Sequence, residues 1–262
     1  MRVRLVVAYE GTHYCGWQVQ PNGLTVEEVL NRELSRLLGE EIRVIGASRT
    51  DSGVHALGNV AAFDTHAAMP ADKISFALNR RLPEDIVIQD SCEVPEDFHP
   101  RFSPSSKTYE YRILNTTFPR PLERHTSYFY HYPLDVERMQ RAATYLVGEH
   151  DFTSFSSVHA QTNTFVRTIH EVGVTSDDED RIRIRITGNG FLYNMVRIIA
   201  GTLIQVGAGI IEDPQEIQRI LEAKDRSCAG PTAPAHGLTL VRISYDEEEA
   251  FCRKIRKTDK SI

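Results

Sequence analysis

The sequence predicts an α+β fold made of two halves that share one order of elements, β-α-β-β-α-β. Two observations carry this prediction: short apolar runs typical of strands alternate with stretches of helical spacing, and a proline-rich junction, FHPRFSPSSK at 98–107, separates the halves. The predicted domains are residues 1–103 and 104–262. This order is that of a ferredoxin-like unit with a largely antiparallel sheet. We expect the two sheets to join into one extended central sheet, with a cleft between the halves.

In the first half, local signals predict each element in turn. A strand is expected at 3–9, followed by an amphipathic helix at 25–39. Thr25 and Glu28 form a capping box at the start of this helix, and Gly39 supplies its stop. The remaining predicted elements are strands at 42–46 and 58–65, a helix at 71–82 and a strand at 85–94.

The second half repeats the order of elements without repeating the sequence. A strand at 107–114 precedes a helix at 134–148 that is stopped by Gly148. A hairpin follows, with strands in VRTIHEVGVTS and RIRIRITG around an acidic turn. The last predicted elements are helices at 189–207 and 213–224 and a closing strand at 237–245.

Composition indicates an ordinary globular protein, with 41% hydrophobic and 25% charged residues in 262. The net charge of −6 argues against a general nucleic-acid binder. From residue 99 to 131, however, five Arg or Lys residues face two acids, which leaves room for a local basic groove. The longest uncharged run, 198–211, is too short to span a bilayer. No signal-peptide pattern is present, so we expect a cytoplasmic protein with no membrane partner.

The polar bend between the strands 42–46 and 58–65 is the first candidate site. It brings Arg49, Asp51 and His55 together among small residues. An aspartate beside Ser and Gly also suits an ordinary turn, because its side chain can bond nearby backbone N–H groups. A hairpin needs only a few residues, however, and loops on a rigid scaffold commonly display catalytic groups.

Seven segments resemble the tRNA pseudouridine synthase A family, in the order in which the family has them. The bend itself, GASRTDSGVHALGNVAAF, looks like the signature of that family, with Ser48 and Ser52 in place of a glycine and an alanine often found there. The other segments are YEGTHYCGWQVQ, FHPRFSPSSKTYEYRI, GEHDFTSF, VRTI, GNGFLYNMVRIIAGTL and AGPTAPAHGLTL. The similarity extends over nearly the whole chain.

This resemblance implies an isomerase that converts uridine to pseudouridine at positions 38, 39 and 40 of the tRNA anticodon stem-loop. The partner it implies is tRNA, and the assembly it implies is a homodimer. The base is cut from its ribose at N1, turned, and rejoined through C5. Because nothing is oxidised and no group is donated, the reaction requires no cofactor and no metal.

The resemblance also assigns roles to four residues. Asp51 matches the nucleophile, although a carboxylate suits attack on either uracil C6 or ribose C1′. Arg49 matches the arginine that fills the place of the extruded base, with a surface salt bridge as the alternative. Tyr109 matches the tyrosine that packs on the uracil, but Tyr111 shares its strand face. Arg197 lies in an apolar helix, where we expect it to be cut off from water and paired with Asp51 or with a structural partner.

Two other classes of function remain open at this point. The first is a non-catalytic RNA-binding protein built from RRM-like units, although no strand carries the aromatic-rich RNP1 pattern. The second is a metal-dependent hydrolase whose ligands are Asp51, His55, Asp64 and His66. The spacing of these residues matches no known metal-ligand motif.

Overall fold

The computed structural model describes residues 1–157 and 162–246 of the chain. They form two compact units: Met1–Ser105 together with 240–246, and the described part of Ser106–Thr239. Both units combine helices with antiparallel strands, which confirms the predicted α+β class.

The first unit contains the predicted order of elements. It is formed by β1 (Arg2–Tyr9), α1 (Val26–Leu38), β2 (Ile45–Gly46), β3 (His55–Asp64), α2 (Ala71–Leu78) and β4 (Ile86–Val94). β1 lies between β3 and β4 and is antiparallel to both. Val3, Leu5 and Val7 of β1 have no exposed surface and belong to the core.

Local capping signals place the ends of α1 where the sequence predicts them. The Thr25 hydroxyl accepts a hydrogen bond from the Glu28 backbone N–H at 3.3 Å. Gly39 adopts φ 74°, the left-handed conformation that glycine takes after a helix without steric cost. The buried face of α1 is Val26, Val29, Leu30 and Leu34, at helical spacing.

The second unit keeps the predicted order as far as its last helix and adds two short strands. Its elements are β5 (Ser105–Leu114), β6 (Tyr128–Phe129), α3 (Val136–Thr144), β7 (Gly148–Asp151), β8 (Val166–Ser176), β9 (Arg181–Gly188), α4 (Met195–Gly207) and α5 (Glu216–Ala223). The strands β5, β9, β8 and β7 are neighbours in that order and antiparallel. The final strand of the chain is β10 (Leu238–Tyr245).

Two helix boundaries in this unit differ from the prediction by four or more residues. The helix expected at 134–148 ends at Thr144, so that Gly148, with φ 113°, begins β7 instead of stopping a helix. The helix expected from 189 begins only at Met195, because Asn194 takes a left-handed conformation with φ 61°. Apolar periodicity continues through both ends, so the pattern alone does not show where the backbone leaves the helix.

Candidate active site

Asp51 lies on the loop 47–54, which connects β2 to β3 and is called the Asp51 loop below. Its backbone carbonyl accepts a hydrogen bond from Val54 N–H at 3.1 Å and closes a β-turn. Gly53 takes the third position of this turn with φ 78°, a conformation that favours glycine. The Asp51 residue is half-buried. The turn therefore displays the carboxylate at a defined point of the surface.

The chain segment 9–17 packs against the Asp51 loop and is hydrogen-bonded to it. Trp17 N–H donates to the Thr50 carbonyl at 3.1 Å, and the Ser52 hydroxyl donates to the Tyr14 carbonyl at 3.2 Å. Gly16 has φ 82°, and a side chain there would place its Cβ 2.5 Å from the Thr50 carbonyl oxygen. Only glycine allows this close approach. The motif YEGTHYCGWQVQ thus packs against the motif that carries Asp51, the candidate nucleophile.

A buried hydrogen-bond network connects the Asp51 loop to β1 and β3. The hydroxyls of Tyr9 and Thr50 lie 2.7 Å apart, and the Asn59 amide donates to Tyr9 Oη at 3.3 Å and to the Ser48 carbonyl at 3.0 Å. Sequence reasoning singled out none of Tyr9, Thr50 and Asn59. The available signal was the position of Thr50 between Arg49 and Asp51. Thr50 is buried, whereas Arg49 before it is exposed and Asp51 after it is half-buried.

Arg49 is exposed and directly precedes the buried Thr50. Its guanidinium makes no hydrogen bond or ion pair with any residue in 1–157 or 162–246. The alternative of a surface salt bridge therefore has no partner in the described chain. An exposed, uncompensated guanidinium is suited to bind phosphate or to stack on a base.

Tyr109 and Tyr111 both belong to β5, but their surroundings differ. Tyr111 is completely buried and its hydroxyl donates to the Pro234 carbonyl at 2.9 Å. Burial, together with the nearby Tyr128, raises the pKa of Tyr111 well above its usual range. The Tyr109 ring instead makes an edge-on contact with Phe191, with 5.2 Å between the ring centres, and keeps 7% of its surface exposed. Tyr111 is thus a structural residue of the core.

Arg197 lies in the first turn of α4 and is oriented by two hydrogen bonds. Its Nε donates to the Ala233 carbonyl and its guanidinium to Asn194 Oδ1, both at 2.8 Å. The residue is half-buried, so the expectation that it is cut off from water is wrong. It lies in the first turn of α4, close to the exposed Tyr193 and the half-buried Asn194, and not among the buried residues at the centre of the helix.

The backbone of the segment 229–240 packs closely against α4. A Cβ on Gly201 would overlap the Pro231 carbonyl oxygen, and one on Gly230 would lie 2.7 Å from the Thr202 Cα. The Thr202 hydroxyl accepts a hydrogen bond from Gly230 N–H at 2.9 Å. Two glycines therefore let this segment run directly over α4, where it supplies the carbonyl that orients Arg197.

The four proposed ligands of a metal-dependent hydrolase do not converge. His55 and Asp64 are the two ends of β3, and nine residues of strand at about 3.3 Å each separate them by roughly 30 Å. Asp64 forms a two-point ion pair with Arg2, and His55 Nδ1 accepts a hydrogen bond from Gly11 N–H. Over the residues with coordinates, no group of three or more His, Cys, Asp or Glu side chains could hold a metal ion.

None of the helices in the described ranges has the length and apolar character needed to cross a membrane. This finding concerns α1 to α5, of which α4, with thirteen residues, is among the longest.

A family model described as tRNA pseudouridine synthase matches residues 5–103 and 142–246 of the chain. A tRNA pseudouridine synthase A from Acetivibrio thermocellus is 50% identical over 243 residues, which cover 93% of this chain and 99% of the relative. The protein of the same name from Ruminiclostridium cellulolyticum is 50% identical over 244 residues, with the same coverage. The protein from Geotalea uraniireducens is 46% identical over 244 residues, again with 93% and 99% covered.

Similarity to solved structures is far weaker. An H/ACA RNP bound to a substrate RNA containing 2'-deoxyuridine gives 13% identity and a TM-score of 0.36, over 77% of this chain and 44% of that chain. A likeness of this size is too remote to bear on the fold or on the site.

Proposed function

The chain belongs to the tRNA pseudouridine synthase family and is an isomerase, and we propose that it acts on uridines 38, 39 and 40 of the anticodon stem-loop. In this proposal Asp51 is the nucleophile and the target base is flipped out of the stem. The observation that supports it best is the Asp51 loop, which displays a half-buried carboxylate two residues from an exposed arginine on a clamped turn. Family membership favours this reading over a non-catalytic RNA-binding protein.

The chemistry of the isomerisation defines what Asp51 has to do. The bond between uracil N1 and ribose C1′ breaks, a bond between C5 and C1′ forms, N1 gains a proton and C5 loses one. A carboxylate can hold one of the two fragments covalently while the base turns, by attack on uracil C6 or ribose C1′. Asp51 suits this role because its loop is fixed by Thr50 and Trp17 and needs no rearrangement to present the carboxylate.

Arg49 is proposed to stabilise the extruded state of the substrate. A uridine within a stem cannot be reached, so it is rotated out at a cost of a few kcal/mol. The planar guanidinium can stack in the vacated place and bind a neighbouring phosphate. Since Arg49 has no ion pair within the described chain, RNA does not have to displace a carboxylate from it.

We expect Arg49→Ala to lower turnover by about a hundredfold while the protein folds normally, because the lost step is base extrusion and the side chain supports no described contact. The measurement is turnover on tRNA with a paired target uridine and on the same tRNA with a mismatch opposite that uridine. The loss should be smaller on the mismatched tRNA, since less energy is needed to extrude its base. Arg80→Ala, at another exposed arginine of the same unit, is the control. Equal losses on both substrates would contradict the flipping role.

Tyr109 is proposed to pack on the flipped uracil, with its hydroxyl available for proton transfer. We expect Tyr109→Phe to bind tRNA but to lose about a hundredfold in kcat, because a group that can exchange a proton with the base is gone. Tyr111→Phe should retain near-normal kcat but lose about 1 kcal/mol of stability, since the Pro234 carbonyl loses its donor. Single-turnover kinetics and thermal unfolding of both variants provide the comparison, and the reverse pattern would identify Tyr111 as the substrate residue.

Arg197 is proposed to hold the Asp51 carboxylate ionised and correctly directed. The N-terminus of a helix carries partial positive charge, so a cation in the first turn is unfavourable unless an anion lies nearby. The first turn of α4 contains this arginine and no acidic residue. The bonds to Ala233 and Asn194 orient the guanidinium. The position of this cation in the first turn of α4 therefore supports a carboxylate or phosphate partner.

Release of tritium from C5-labelled uridine in tRNA tests the proposed activity, and mapping of pseudouridine in the product tests the three positions. Modification of a site outside the anticodon stem-loop would contradict the proposed substrate. The resemblance also implies a homodimer in the cytoplasm. Light scattering of the purified protein at several concentrations determines the oligomeric state, and localisation of a tagged chain determines the compartment.

A further inference from the structure

An exposed phenylalanine stands out on the turn 98–104, which is called the Phe102 turn below. Phe102 keeps 76% of its surface open to solvent. Burying such a ring is worth roughly 1.5–3 kcal/mol, so its exposure is a feature that folding by itself does not favour. The mechanism proposed above makes no use of this residue.

The backbone of the Phe102 turn is tightly built. The His99 carbonyl accepts hydrogen bonds from the N–H groups of Phe102 at 3.2 Å and Ser103 at 2.9 Å. His99 N–H donates to the Ser103 hydroxyl at 3.1 Å. His99 Nδ1 in turn accepts from the N–H groups of Arg101 and Phe102. The turn therefore holds its shape through its own hydrogen bonds.

Contacts with the core of the first unit anchor the first part of this turn. The Tyr245 hydroxyl donates a buried hydrogen bond of 2.6 Å to the Pro100 carbonyl. The Tyr245 ring also meets the Phe98 ring edge-on, with 5.1 Å between centres. At the start of the turn, Arg2 donates to the Phe98 carbonyl at 3.0 Å. Phe102 thus projects from a rigid support, and little conformational entropy is lost when a ligand packs against it.

One side of the Phe102 ring is already occupied by a planar group. The His99 imidazole stacks on the ring, with 4.3 Å between centres and 30° between planes. The Arg101 guanidinium lies 6.0 Å from the ring centre, within the range of a cation–π interaction. The exposed remainder of the ring can extend this stack by one more planar group.

Uncompensated positive charge surrounds the ring. Neither Arg101 nor Arg49 forms an ion pair with a residue in the described ranges, whereas Arg181 and Arg183 both contact Asp177. Partial burial lowers the pKa of Arg101, and the nearby positive charge of Arg49 lowers it further. The two positive charges repel each other. A bound anion would relieve this repulsion, so the pair favours anion binding more than it favours folding.

We propose that Phe102 is a stacking platform for an unpaired base of the substrate tRNA, and that Arg101 binds the adjacent phosphate. An aromatic ring beside cations is the arrangement by which proteins hold single-stranded nucleic acid without reading its sequence. Arg49 of the Asp51 loop lies near enough to Arg101 for their charges to interact. The inference rests on the proposed function, because it takes tRNA to be the molecule bound there.

Affinity for unmodified tRNA tests the stacking contact. We expect Phe102→Ala to raise Kd and KM about tenfold, the loss typical of one stacked base, while kcat at saturating tRNA stays within about twofold. Phe102→Tyr should retain wild-type affinity, because its ring stacks equally well. Phe76→Ala, at a phenylalanine of α2 with 71% exposure, is the matched control and should bind normally. Wild-type affinity of Phe102→Ala, or an equal loss in Phe76→Ala, would overturn the inference.

Salt dependence tests the phosphate contact separately. Each phosphate neutralised contributes about 0.7–0.9 to the slope of log K against log salt concentration. Arg101→Gln should therefore reduce this slope by about one, and Arg80→Gln should leave it unchanged. An unchanged slope in Arg101→Gln would exclude the contact. These binding measurements do not depend on turnover, so an inactive Asp51→Asn with normal binding of Phe102→Ala would refute only the stacking platform.

Discussion

Asp51→Asn is expected to abolish tritium release from C5-labelled tRNA while tRNA still binds. The amide preserves the size and shape of the side chain, but it cannot attack carbon as a carboxylate does. Loss of a nucleophile typically lowers turnover by roughly 10⁴-fold or more. The Asp51 loop should keep its conformation, because the Val54, Trp17 and Thr50 contacts that shape it involve other atoms.

Two measurements make this result decisive. Thermal unfolding and tRNA affinity should match the wild type, so that the loss is one of chemistry and not of folding. Asp72→Asn removes the same charge at an exposed position on α2 and should leave turnover unchanged. Turnover of Asp51→Asn within about tenfold of the wild type would refute the assignment of the nucleophile.

Arg197→Met is expected to have the next largest effect, with activity lost and stability reduced by about 1.5–3 kcal/mol. The stability loss comes from the charged hydrogen bonds to the Ala233 carbonyl and Asn194. It should be smaller than for a fully buried pair, because Arg197 is half-buried. Arg197→Lys keeps the charge but lacks the planar fork that makes both bonds, so its activity should fall more than its stability.

A double-mutant cycle distinguishes a functional pair from a structural arginine. If Arg197 interacts with Asp51, the stability losses of Arg197→Met and Asp51→Asn in urea unfolding should sum to more than the loss of the double mutant. Arg226 offers a matched control, since it also donates to a backbone carbonyl and a side-chain oxygen in the same unit. The cycle of Arg226→Met with Asp51→Asn should be additive. Strict additivity for Arg197 as well would show that it pairs elsewhere.

Local signals in the sequence were sufficient for the elements that begin and end with caps. The Thr25 hydroxyl and the left-handed Gly39 delimit α1 as predicted, because both act within one turn of the residues they cap. Where no cap marks the end, as in α3 and α4, the predicted boundaries are too wide. Periodicity reports which residues face the core, and it continues wherever apolar residues follow the helix.

The sequence alone determined the order of elements, the position of the Asp51 loop and, through its motifs, the family. Only the tertiary structure showed that Tyr109 and Tyr111 have different surroundings, since residues two apart on a strand share a face and differ only in what packs on that face. It also revealed the Tyr9–Thr50–Asn59 anchor and the bond from Arg197 to Ala233, which join residues up to 50 positions apart. Such contacts depend on how strands and loops far apart in sequence come together. A pattern along the chain specifies the conformation of neighbouring residues, but the environment of a side chain is set by residues that the fold brings to it.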